Sequence, residues 1–155
     1  MIVDVHVEIP RDSCVKYEYD NKSLHVDRIL STSMVYPGNY GYIPKTLADD
    51  GDPIDVLIIE TTPLFPCSYV KCRVIGMLNT EDEKGMDQKV IAVPDNTIQL
   101  ETSHIRDLCD VNVSTLSKIK DFFSHYKSNE TNKWVKVYDF EDAEETEIFI
   151  TSKIL

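Results

Sequence analysis

Short segments in which apolar and polar residues alternate, separated by polar connections, recur through most of the chain and restrict it to a mainly β fold. Val3, Val5, Val7 and Ile9 alternate with Asp4, His6 and Glu8, the period of a strand with one buried face. Val15, Tyr17 and Tyr19 alternate with Lys16, Glu18 and Asp20, and Asn21-Lys22 turns the chain into a strand through Leu24 and Val26. These two strands are expected to pair antiparallel, with Lys16 and Glu18 on one face. Val56 to Ile59, Tyr69 to Met77 and Val90 to Val93 read as further strands, the last two joined by the polar connection Asn79 to Gln88. Many short strands with polar connections predict a closed or nearly closed barrel.

The segment from Tyr36 to Asp55, rich in Pro, Gly, Asn and Asp, reads mostly as loop. Long loops in compact domains tend to carry function. Val113, Leu116, Ile119, Phe122 and Phe123 recur at helical spacing after Ser114, which predicts a helix to about Lys127 with Ser114 as its N-cap. Trp134 to Phe140 returns to strand alternation. The acidic run Glu141 to Glu147 then opens a terminal helix, with negative charge where the helix dipole favours it. No repeat or linker interrupts the 155 residues, so residues 1–155 are expected to form one domain.

No stretch approaches the ~18 continuous apolar residues of a membrane helix. The N-terminus lacks the basic start and apolar block of a signal peptide, and a cytoplasmic protein is expected. Cys14, Cys67, Cys72 and Cys109 show neither a CxxC pair nor zinc spacing, and they read as reduced thiols, mostly buried. A formal charge of −11 repels polyanions, so neither a nucleic-acid backbone nor an anionic membrane is expected as a partner. Such an acid excess is either plain solubility or a set of carboxylates converging on divalent cations.

The position of the acids bears on that choice. Asp50-Gly51-Asp52-Pro53-Ile54-Asp55 places three carboxylates within six residues. Hard cations such as magnesium take oxygen ligands and keep several waters, so two or three carboxylates suffice. Gly51 permits a tight turn and Pro53 stiffens it. Alone, this is as consistent with a solvated acidic turn as with a metal site. A second acidic group, Asp82, Glu83 and Asp87, precedes Lys89. Two such clusters on neighbouring loops could hold two or more cations that activate water for an in-line displacement. A phosphate substrate also needs positive charge, and Lys16, Arg28, Lys89, Lys127 and Lys133 could supply it, with Tyr36, Tyr40, Tyr42 and Tyr126 as hydroxyl donors. HExxH, GxSxG, GxxxxGKS/T and GxGxxG are absent, which removes the local signatures of zinc proteases, serine hydrolases, P-loop enzymes and dinucleotide folds. His6, His25, His104 and His125 are scattered and read as structural or surface residues.

Taken in order, VEIPRDSCVKYEYD, VDRILSTSMVYPGNYGYIPKT, DGDPIDVL and HYK followed by NKWVKV resemble the family I soluble inorganic pyrophosphatases of bacterial type over nearly the whole chain. The resemblance implies a five-stranded OB-like closed barrel with two or three flanking helices. It implies magnesium-dependent hydrolysis of pyrophosphate to two phosphates, by a water bridging metal ions and without a covalent intermediate. Carried over residue by residue, Asp50, Asp55 and Asp87 would ligate the tighter metal, and Asp55 would bridge to a second. Asp82 and Asp87, with Glu8 and Glu18, would serve the remaining metals. Asp52 would be the base beside the attacking water. Lys16, Arg28, Tyr40, Tyr126 and Lys127 would grip phosphate oxygens, with Lys89 nearby. The family's bacterial members imply a homohexamer. Rival readings are a magnesium-dependent hydrolase of another phosphoanhydride such as a nucleotide, a noncatalytic OB-like binding module, and a calcium-storing or structural acidic loop.

Overall fold

The computed structural model describes residues 1–155. Nine strands and two α-helices follow one another as β1 (Ile2–Ile9), β2 (Val15–Asp20), β3 (Ser23–Ile29), β4 (Asn39–Tyr42), β5 (Asp55–Ile58), β6 (Tyr69–Asp82), β7 (Gly85–Met86), β8 (Lys89–Pro94), α1 (Val113–His125), β9 (Val135–Asp142) and α2 (Ala143–Lys153). The strand order β1-β4-β5-β8-β6 closes on itself because β1 also pairs with β6. This ring is the expected five-stranded barrel. Only β5 and β8 run parallel within it, while β2 and β3 form the separate hairpin anticipated from their alternation.

Two apolar clusters account for the sequence pattern of the ring. Val5, Val7, Val56, Ile58, Val70, Cys72, Val74, Val90 and Ala92 form one, with Ile150 of α2 packed among them. Leu57, Ile59, Ile91 and Val93, on the opposite faces of β5 and β8, meet Ile119, Phe122 and Phe123 of α1. Both faces of these two strands are therefore buried, so they read as continuous apolar runs rather than as alternation. Each such side chain contributes about 1.5–3 kcal/mol by leaving water. Ile9 joins the α1 cluster instead of following Val7, because a bulge shifts the β1–β4 register between them.

The structure corrects the expectations in four places. The segment Tyr36 to Asp55 is mostly loop as expected but contains the short strand β4, and Gly41 lies against the backbone of β1 where any Cβ would collide with the His6 carbonyl. Composition hid this strand, since the glycine that resembles a breaker is what allows the close approach. The connection Asn79 to Gln88 is mostly strand, because β6 continues past the end of β8 to Asp82 alongside β9 and folds back through β7. Helix α1 is capped by Asn112, whose side chain accepts from the Ser114 N–H, and Ser114 lies inside the helix. Of the cysteines only Cys72 is buried. The acidic run opens the terminal helix α2 as expected, with Asp142 as its cap and Glu144 and Glu145 in its first turn.

One buried cation braces the back of the ring. Arg73 of β6 is 5% exposed, and its guanidinium donates to the carbonyls of Ile105 (2.9 Å) and Thr102 (2.7 Å) and to Asn96 Oδ1 (2.9 Å). These three uncharged acceptors tie down the segment between β8 and α1. No helix is long and apolar enough to cross a membrane.

Candidate active site

A cavity of about 640 Å³ opens between the ring, the β2–β3 hairpin and the end of α1. The end of β1 presents Glu8, and the hairpin presents Lys16, Glu18 and Arg28. Tyr40 comes from β4, Asp50 and Asp52 from the loop before β5, and Asp55 from the first residue of β5. Asp82 ends β6, Asp87 and Lys89 lead into β8, and Tyr126 and Lys127 follow α1. Every one of these side chains lines the same cavity. Strand register explains much of this convergence: Asp55 is paired with Lys89 across β5–β8 and with Tyr42 across β4–β5. Residues far apart in the chain thus share one rim.

Lys89, 3% exposed, is the electrostatic hub. Its ammonium donates to Tyr40 Oη (2.7 Å), Asp55 Oδ2 (2.9 Å) and Asp87 Oδ2 (2.7 Å). Burial alone would lower its pKa, but the Asp55 and Asp87 carboxylates more than reverse this and hold it charged. Asp87 is raised by burial and by Asp55, against the pull of Lys89. Burial likewise raises Asp50, although its carboxylate accepts from the Asp52 N–H at 3.0 Å. Glu8 is pushed up to about 7 by burial, with Asp55 and Glu18 adding to the shift and the Tyr19 N–H opposing it. Around the rim, Lys127 meets Asp82 (3.3 Å), Lys16 meets Asp27 (3.0 Å) and Arg28 meets Glu130 (3.0 Å). The cavity therefore gathers more carboxylate than its cations neutralise.

The family model for inorganic pyrophosphatase matches residues 5–154. The chain belongs to the inorganic pyrophosphatase family. An inorganic pyrophosphatase of Nanoarchaeum equitans is 49% identical over 150 residues, covering 97% of this chain and 94% of the relative. That of Rickettsia prowazekii is 46% identical, covering 98% of this chain and 90% of the relative. Among solved structures, the Helicobacter pylori inorganic pyrophosphatase superposes with a TM-score of 0.96 at 44% identity, covering 99% of this chain and 91% of that one. The Thermus thermophilus inorganic pyrophosphatase gives 0.95 at 42%, covering 99% and 89%.

Pyrophosphatases of this family depend on metal ions, and the donor set here fits a hard cation. Glu8, Glu18, Asp50, Asp55, Asp82 and Asp87 bring carboxylate oxygen to the cavity, and neither histidine nor cysteine lines it. No three of these acids stand close enough to share one ion as arranged, and Lys89 occupies the space between Asp55 and Asp87. Magnesium needs only one or two carboxylates beside its waters, so pairs of acids around the rim suffice.

Two carboxylates that pair with the cavity's cations, Asp27 and Glu130, had no sequence signal of their own. Asp27 meets Lys16 because it is the extra residue at a bulge, where Lys16 pairs with Arg28 but Tyr17 pairs with Val26. Glu130 reaches Arg28 from the connection after α1, a contact that spacing cannot foretell. Tyr36 lines the cavity with its hydroxyl buried and without a partner. Lys133, one of the cation candidates, also lines the cavity and pairs with Glu83 at 3.1 Å. His6 is buried, hydrogen-bonded to Tyr42 Oη (2.6 Å) and stacked on Tyr69, in keeping with a structural role.

Proposed function

We infer that this chain hydrolyses inorganic pyrophosphate to two phosphates, using several magnesium ions and water as the nucleophile. The observation that supports this most is the convergence of all the residues carried over from the family, acids and cations together, on one cavity. Asp50, Asp55, Asp82 and Asp87, with Glu8 and Glu18, would hold the ions. Bound there, magnesium would lower the pKa of water and neutralise phosphate charge.

The remaining work falls to the chain. Asp52 stands exposed on the acidic loop and accepts the proton of the attacking water as the water oxygen bonds to one phosphorus in line with the breaking P–O bond. The bridging oxygen leaves with the other phosphate, and no bond to the protein forms. Lys16, Arg28 and Lys127, each paired with a carboxylate in the free chain, supply positive charge to phosphate oxygens. Tyr40 and Tyr126, both buried, supply hydroxyls at the floor, and Lys89 keeps Asp55 and Asp87 together.

The chain is taken to act as one domain, in the cytoplasm, as a homohexamer. Sedimentation velocity would test the assembly. Phosphate release from pyrophosphate should be rapid with magnesium, weak with calcium and absent with neither. Faster release from ATP than from pyrophosphate would overturn the substrate assignment.

A further inference from the structure

The loop that carries Asp50 and Asp52, and delivers Asp55 to β5, is closed at its neck by a single buried hydroxyl. Thr46 is 3% exposed. Its Oγ1 donates to the Ile43 carbonyl (2.7 Å) and accepts from the Ile54 N–H (3.0 Å), so one side chain joins the two stems of the loop. Beside it the Ile43 N–H donates to the Ile54 carbonyl at 2.9 Å. Further out, the Ala48 N–H donates to the Asp52 carbonyl (2.8 Å) and the Gly51 N–H to the Ala48 carbonyl (3.0 Å). Beyond the neck, Ala48 rests against the core, but at the tip a Cβ at Gly51 would meet nothing, and Asp52 and Pro53 are exposed.

Thr46 is itself held from outside. It forms a β-bridge with Ile154 just beyond α2, with the Leu47 N–H donating to the Lys153 carbonyl (2.9 Å) and the Leu155 N–H to the Lys45 carbonyl (3.0 Å). Lys153 Nζ also meets Asp49 Oδ1 at 2.7 Å. The residue before this bridge, Lys45, has φ of 62°, a left-handed backbone that persists only where its surroundings hold it.

We propose that Thr46 is a positioning residue for the acidic loop: its hydroxyl, backed by the bridge to Ile154, sets where Asp50, Asp52 and Asp55 stand and so how tightly the cavity binds divalent cations. This rests on the cation-binding reading above. Asp55 adjoins Ile54, so the bond from the Ile54 N–H to Thr46 lies one residue from the start of β5 and acts on the placement of Asp55. In the loop, these hydrogen bonds act with the ion pairs of Lys153 with Asp49 and Lys89 with Asp55 against the mutual repulsion of the acids. Loss of about 1 Å in such placement costs on the order of a hundredfold in rate.

The test is a set of manganese-binding isotherms measured by electron paramagnetic resonance without substrate, beside kcat, KM and denaturant stability. Thr46→Val keeps the volume and loses both hydrogen bonds. It should weaken manganese binding roughly tenfold and lower kcat at saturating pyrophosphate, whereas Thr46→Ser, which keeps the oxygen, should restore both. Leu155→Pro removes only the N–H that bonds Lys45, and Ile154 already has the extended backbone (φ −68°, ψ 131°) that a residue before proline prefers. It should weaken manganese binding about threefold. A folded Thr46→Val chain that loses stability yet binds manganese like the wild type would overturn the proposal. Should Thr46→Val not fold, unchanged binding by Leu155→Pro would overturn it equally. Absence of manganese binding by the wild type would instead defeat the underlying assignment of the cavity.

Discussion

Arg73 and Lys89 are both buried cations on neighbouring strands of one ring, but their surroundings differ in kind. Arg73 donates to two main-chain carbonyls and an amide oxygen, all neutral and all belonging to the segment it secures. Lys89 donates to two carboxylates and a tyrosine that face a cavity. A guanidinium spread over neutral oxygens holds a shape and has nothing to exchange with solvent or ligand. An ammonium between two acids keeps like charges close, and added cations can take over part of that task. Burial by itself does not separate structural from functional charge; the identity of the partners does.

The largest departure between the two regions is expected for Asp55→Asn, which keeps an acceptor for Lys89 but removes a charge from the cavity. It should lower kcat on the order of a thousandfold while chemical denaturation shows a fold as stable as the wild type. Near-normal turnover would remove Asp55 from the cation-binding set. Lys89→Met should cost about 3 kcal/mol of stability in chelator, since it leaves Asp55 and Asp87 facing each other, and magnesium should recover much of it through binding to the folded chain alone. Arg73→Met should cost about 2 kcal/mol through stranded carbonyls, with kcat/KM per folded molecule unchanged and no recovery beyond the wild-type response to magnesium. Equal magnesium responses in the two variants would erase the distinction drawn between them.

The smallest effect concerns pH. Glu8 carries a folded pKa of about 7 against an ordinary value of 4.5, so between these values the folded chain retains a proton that the unfolded chain has released. Stability in chelator should therefore be fully favoured below about 4.5 and fall as pH rises through 7, by ~1–2 kcal/mol from this group. Glu8→Gln should flatten that fall when denaturation is followed at pH 5 and pH 8. Parallel slopes for the two chains would show that Glu8 is not the group responsible.

Much of the site could be read before the fold because its chemistry is concentrated in short blocks. Asp50, Asp52 and Asp55 lie within six residues, and Lys16, Glu18, Lys89, Tyr126 and Lys127 stand in segments whose order and composition identify the family. Strand β4 was not legible, since Gly41 looks like a breaker until β1 is seen passing against it. The extension of β6 to Asp82 was hidden for a related reason: β9 and β7 on its two sides satisfy its backbone, and that outweighs its polar side chains.

The linear chain determined the alternation that makes a ring of strands, the spacing and acidic run that make two helices, and the residue types that make an acidic cavity, because these depend on neighbours a few positions apart. Tertiary structure alone decided the partners: Asp27 with Lys16 across a bulge, Glu130 with Arg28, Lys89 between Asp55 and Asp87, and the bridge that joins Thr46 to Ile154. Such contacts depend on register, where shifting one residue turns a side chain to the opposite face, and register is settled only when the strands pack.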